Sequence, residues 1–94
     1  MRASTLELVR NAQEHGYAVP AFNIVDEVSL RALIEAAEAA DSPVIIQVSL
    51  KTARSIGVEL VGAMFDTAIR GTSVKAALHL DHCPDLAWIN KVID

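Results

Sequence analysis

The sequence predicts an α/β fold built around a parallel sheet, and three observations predict it. Apolar runs of strand length, at residues 17–24, 44–49 and 75–81, are each followed by a segment with helical spacing. The units recur at intervals of roughly thirty residues, the length of a strand with its crossover helix. A further helical segment precedes the first strand. Alternation of this kind forces strands that run parallel and are joined by right-handed crossovers.

Residues 4–15 read as the leading helix. Ser4 and Glu7 have the spacing of a capping box, Leu6, Leu8, Val9 and Ala12 supply an apolar side, and Gly16 is a natural stop. Tyr17 to Ile24 is a compact apolar segment, read as the first strand. Pro20 within it has no amide proton for a ladder, which suits the first turn or the edge of a strand. Asp26 is placed to cap the next helix, whose Leu30, Leu33, Ile34 and Ala37 fall at i, i+3, i+4 and i+7. Asp41-Ser42-Pro43 ends it.

Val44 to Ser49 is a β-branched run, apolar on both faces, as a strand covered by helices on one side and core on the other must be. Leu50 to Gly57 reads as a connection carrying Lys51 and Arg54. Helical spacing returns over Val58 to Arg70 in Val61, Met64, Phe65 and Ala68, and Gly71 marks the end. Lys75 to Asp81 is the third strand. Pro84 to Asp94 opens another helix, with Pro84 near its first position and Leu86, Ile89 and Ile93 on one side.

Composition narrows the function. The 94 residues are 52% hydrophobic, which fits one small packed unit and excludes a disordered chain. A formal charge of −4, with Lys and Arg scattered from Arg2 to Lys91, gives no basic field for nucleic acid. No apolar run approaches the ~18 residues of a membrane span. Cys83 is the single cysteine, so no internal disulfide is expected and a reducing cytoplasm suits the chain.

In a parallel sheet all strands finish on one side, so Asn23, Ser49 and the pair Asp81-His82 should gather at one rim. Singly, Asn23 and Ser49 read more readily as cap or turn residues than as binding groups. Asp81-His82 carries more chemistry: an imidazole can ligate a divalent ion, and a carboxylate beside it can ligate or exchange a proton. Neighbouring strand residues point to opposite faces, so both enter one cleft only where the strand has begun to turn, which Cys83-Pro84 permits. His79 shares a side with Asp81, either near a metal or as a buried histidine bonded to backbone. His15 reads as an exposed residue of a helix's last turn.

Cys83 is read as a small hydrophobe rather than as a nucleophile paired with His82, because adjacent residues seldom reach each other in that geometry. Gly57 and Gly62 match no phosphate-loop spacing. Trp88 is read as core or interface.

The segments Ala21-Phe22-Asn23, Ser42-Pro43-Val44-Ile45-Ile46-Gln47-Val48-Ser49 and Leu78-His79-Leu80-Asp81-His82-Cys83, in that order and spacing, resemble the class II, metal-dependent ketose-bisphosphate aldolases. The resemblance covers essentially the whole chain. It implies a (β/α)₈ TIM barrel, of which residues 1–94 would form an N-terminal partial domain: the leading helix and three βα units. A full barrel takes ~250 residues.

It also implies a reaction, the reversible cleavage of a ketose 1,6-bisphosphate such as fructose or tagatose 1,6-bisphosphate. A zinc or other divalent ion polarises the dihydroxyacetone phosphate carbonyl and stabilises the enediolate. By position, His82 matches a metal-ligand histidine and Asp81 the acid that exchanges a proton with the second carbonyl half. Asn23 and Ser49 match substrate-contacting residues, and His79 a histidine close to the metal. Many fructose- and tagatose-specific members carry a glycine-bearing small-residue stretch after the serine, where this chain has Leu50-Lys51-Thr52-Ala53-Arg54.

With one of the three usual zinc ligands and two open sheet edges, the chain alone is expected to be inactive. A homo-oligomer, or pairing with a complementing C-terminal barrel segment, is the expected partnership. Two rival readings are a non-catalytic α/β interaction module derived from the barrel and an enzyme that depends on Cys83.

Overall fold

The computed structural model describes residues 1–93, with side chains through residue 90. The leading helix, α1 (Thr5–His15), forms where the sequence places it. Ser4 Oγ accepts the Glu7 amide at 3.1 Å, and Gly16 closes the helix at φ +70°, a left-handed conformation that glycine adopts without a Cβ clash. The expected capping box is completed on one side only, because the Glu7 carboxylate turns instead to Lys75 Nζ at 2.9 Å. His15 sits in the last turn with Nδ1 2.9 Å from the Asn11 carbonyl.

The first strand, β1 (Ala21–Asn23), is shorter than the apolar segment that contains it. Pro20 accounts for the difference: it brings no amide to the ladder, and its carbonyl only accepts from the Ile45 amide at 2.9 Å. Helix α2 (Glu27–Ala40) follows a complete capping box. Asp26 Oδ1 accepts the Ser29 amide at 2.8 Å while Ser29 Oγ accepts the Asp26 amide at 3.3 Å. Leu30, Ile34 and Ala37 are its buried stripe.

After β2 (Val44–Ser49) the expected connection proves to be a helix, α3 (Leu50–Ile56). Ser49 Oγ accepts the Thr52 amide at 3.3 Å and so caps it, and Leu50 and Ala53, three apart, bury one side. Gly57, at φ +102°, separates α3 from α4 (Val58–Ala68), which buries Val61 and Phe65. Strand β3 (Ala76–Asp81) leads to α5 (Leu86–Ile93). Helix α5 begins two residues after Pro84, and Asp85 caps it, its Oδ1 accepting the Ala87 amide at 2.9 Å. Asp94 and the Ile93 side chain lie outside the described residues.

The strands form one parallel sheet in the order β1-β2-β3. Register pairs Ala21 with Ile45 and Ala77, Asn23 with Gln47 and His79, and Ser49 with Asp81. Residues paired in this way share a face. The opposite face carries Val44, Ile46, Val48, Ala76, Leu78 and Leu80, packed against Leu30, Ile34, Val61 and Phe65 of α2 and α4. Phe65 and Ile46 are fully buried there, and each apolar side chain of this size contributes about 1.5–3 kcal/mol on burial. The first face has a smaller cluster of Leu8, Ile45 and Ala77 under α1. Its remaining positions, toward the carboxyl ends of the strands, are polar.

Both sheet edges are open over most of their length. On the outer side of β3, Ala76 exchanges two backbone hydrogen bonds of 2.9 Å with Met1 and Ala3, and Arg2 Nη1 lies 2.7 Å from Asp66. At the β1 edge Phe22 points to the helix-covered face yet remains 49% exposed.

Candidate active site

The polar rim comes from two successive rungs of the sheet. Asn23, Gln47 and His79 make one rung, and Ser49 and Asp81 the next, nearer the carboxyl ends. Adjacent strands lie about 4.8 Å apart, so Asn23 stands roughly 10 Å across the sheet from His79. All five positions face the side opposite α2 and α4.

His82 should by alternation face the other way, and the backbone prevents it. Its φ is +52°, in the left-handed region where histidine is among the side chains found more often than most. That turn, made at His82 itself, ends the strand. It swings the imidazole beside its neighbour, with Nε2 3.3 Å from Asp81 Oδ2. The Asp81 side chain is 25% exposed and that of His82 84% exposed. A neutral ring that donates from Nε2 keeps its Nδ1 lone pair for an electrophile.

The other predicted residues fall into place less evenly. Ser49 has its hydroxyl engaged as the α3 cap and 3.2 Å from Thr52 Oγ1, so the cap role is real whatever else it does. Asn23 is exposed at the end of β1. His79 is exposed, which overturns the alternative of a buried histidine bonded to backbone. Cys83 is half-buried, its Sγ 3.5 Å from the Asp85 carbonyl.

Sequence reasoning passed over Gln47, the middle residue of the lower rung. Its signal was a lone amide in the otherwise apolar run Val44–Val48. It also passed over the link between Arg54, Asp85 and Trp88: Arg54 Nη2 lies 3.6 Å from Asp85 Oδ2, and its guanidinium carbon 5.3 Å from the centre of the Trp88 ring. Lys51 remains exposed on α3.

Among the described residues no three His, Cys, Asp or Glu side chains cluster as a metal site would require. The donor chemistry nonetheless fits one place in such a set, because His82 presents an exposed imidazole held by a single carboxylate. This chain can contribute one nitrogen ligand, with Asp81 orienting the ring that carries it.

Comparison with known proteins agrees with this arrangement of strands and helices. The family model described as fructose-bisphosphate aldolase class-II matches residues 3–94. A sulfofructosephosphate aldolase of Alkalicoccus urumqiensis is 37% identical over 86 residues, covering 92% of this chain and 30% of that protein. The crystal structure of the YdjI aldolase from Escherichia coli K12 superposes with a TM-score of 0.87 at 27% identity, over 99% of this chain and 36% of that one. The chain thus spans about a third of the length of the relatives it matches. With its three parallel βα units aligned to part of an aldolase and the family model running through all of them, the chain belongs to the class II fructose-bisphosphate aldolase family.

Proposed function

We propose that this chain is the N-terminal portion of a class II aldolase barrel that cleaves and forms a ketose phosphate, and that it works in the cytoplasm. The observation that carries the reading is the turn at His82, which sets its ring 3.3 Å from Asp81 at the carboxyl end of β3. In this reading His82 supplies one nitrogen to a divalent ion. When bound, that ion withdraws electrons from the ketone carbonyl of the substrate.

Asp81 moves the proton of the bond-breaking step. In the cleavage direction the Asp81 carboxylate takes the proton of the C4 hydroxyl as the C3–C4 bond breaks. The bonding pair goes to the dihydroxyacetone phosphate half, and the departing half leaves as an aldehyde. In the reverse direction protonated Asp81 returns the proton to the aldehyde oxygen as the bond forms. Asn23, at the β1 rim, and Ser49, one strand from it, contact the substrate's oxygens, and His79, on the rung below Asp81, takes a supporting role near the metal. The Asp81 side chain is 25% exposed, so the carboxylate is partly shielded and still reachable.

The chain alone does not turn over substrate in this account, since its described residues assemble no set of three possible ligands. Joining them to the downstream barrel segment of the 37%-identical relative restores the comparison. The joined protein is expected to cleave fructose 1,6-bisphosphate, tagatose 1,6-bisphosphate or a sulfofructose phosphate, and to lose that activity to a chelator. Cleavage by the unjoined chain with added zinc, or none by a folded joined protein on any of the three substrates, overturns it.

A further inference from the structure

We propose that Arg54 is a positioning residue for His82. The segment between β3 and α5 is short: His82, Cys83 and Pro84 separate the last paired residue, Asp81, from the cap residue, Asp85. His82 holds a positive φ that a side chain with a Cβ disfavours, and such a conformation persists only where both ends of its segment are fixed. The near end is fixed by the ladder, through the pairing of Asp81 with Ser49.

The far end depends on Asp85. Its backbone carbonyl accepts from Cys83 Sγ and, at 3.1 Å, from the Ile89 amide, while Oδ1 caps the Ala87 amide. Its second oxygen, Oδ2, faces Arg54 Nη2 at 3.6 Å. Arg54 belongs to α3, which Ser49 caps and Leu50 and Ala53 anchor in the core. Its guanidinium also covers the Trp88 ring of α5. Among the side chains described in α5, none of Leu86 to Asn90 is buried, and Leu86 is among the most exposed apolar residues. Arg54 therefore ties the start of α5 to a rigid element, and with it the direction in which His82 leaves the sheet. Its side chain is half exposed, so the pair with Asp85 and the contact with Trp88 are made at the surface.

The consequence for metal binding rests on the proposed ligand role of His82, whereas the positioning itself does not. Two variants test it. Arg54→Ala removes the tether; Asp85→Asn keeps a side-chain oxygen for the Ala87 amide and removes only the charge that faces Arg54. In the histidine-labelled 94-residue chain, both are expected to move the His82 Hα and Cα resonances toward random-coil values and to speed Ala87 and Ile89 amide exchange about tenfold, leaving the Ile46 and Phe65 signals in place. If Arg54→Ala prevents folding, Asp85→Asn decides. His82 resonances that stay unmoved in the folded variants overturn the proposal.

In the joined barrel the same variants should weaken zinc binding about 10–100-fold, the range seen for groups that orient a ligand. Moved His82 resonances with unchanged zinc affinity would sustain the positioning by Arg54 and remove His82 from the metal site, so the two readings fail separately.

Discussion

The Asp81 carboxylate and the His82 imidazole, neighbours in sequence, meet at 3.3 Å because His82 adopts a left-handed backbone that cancels the alternation of the strand. Such a conformation costs an L-residue roughly 1–2 kcal/mol. His82→Gly is therefore expected to leave the 94-residue chain as stable as before or up to ~1 kcal/mol more stable, while removing the imidazole. Urea unfolding followed by circular dichroism checks it. A clear loss of stability would mean that the ring supports the fold rather than the chemistry.

Ser49 has a structural duty that can be separated from any contact with substrate. Ser49→Ala removes the α3 cap and should cost about 1 kcal/mol, or ~4–8 °C in Tm for a domain of this size. Ser49→Asn keeps a capping oxygen and should restore most of the Tm. In the joined barrel Ser49→Asn is expected to raise KM although the Tm recovers; recovery of both would reduce Ser49 to a cap.

The core between sheet and helices is concentrated in a few side chains. Phe65 is fully buried against Ile46 and its neighbours, so Phe65→Ala should cost about 3–5 kcal/mol. That is a large part of the stability a small domain has. Loss of the cooperative unfolding transition is the expected readout, and a transition shifted by less than ~1 kcal/mol would contradict the assigned core.

The pH dependence has a definite sign at both extremes. The hydrogen bond and charge of Lys75 hold the Glu7 carboxyl below its ordinary range, and the Ser29 amide and hydroxyl do the same for Asp26. Carboxyls depressed in the folded state stabilise it above their unfolded pKa, so this contribution is complete above about pH 5 and is lost on acidification below about pH 4. Lys75 is raised by Glu7, so its contribution is present below about pH 10 and is lost as the pH rises through its folded value. Glu7→Gln should flatten the Lys75 share of both limbs in a series of urea midpoints against pH. An unchanged profile would show the pair to be silent in solution.

Much of this was written locally in the chain. The spacing of Leu30, Ile34 and Ala37, the cap at Asp26 and the β-branched run at Val44 each act over one or two turns, so the sequence specifies them directly. Helix α3 escaped because its seven residues show two turns of pattern at most, and Lys51 and Arg54 made it look like a solvated connection. The length of β1 depended on Pro20 and on its edge position, which only the assembled sheet reveals.

At the rim, the place of Asp81 and His82 at the end of β3 was legible, whereas the turn between them, expected from Cys83-Pro84, is made at His82 itself. A positive φ is a choice of the backbone that histidine permits without announcing. The approach of Arg54 to Asp85 and Trp88 joins residues from separate βα units, and no local spacing encodes it.

Whether Asp81 moves a proton and His82 holds a metal is decided by one paired measurement: turnover and bound metal in the joined barrel carrying Asp81→Asn or His82→Ala. Asp81→Asn should retain the metal and lower kcat about 10²–10⁴-fold, the usual worth of a positioned acid or base. His82→Ala should lose both metal and turnover. Folded variants that each keep kcat within about threefold of the parent, with metal content unchanged, would contradict the account.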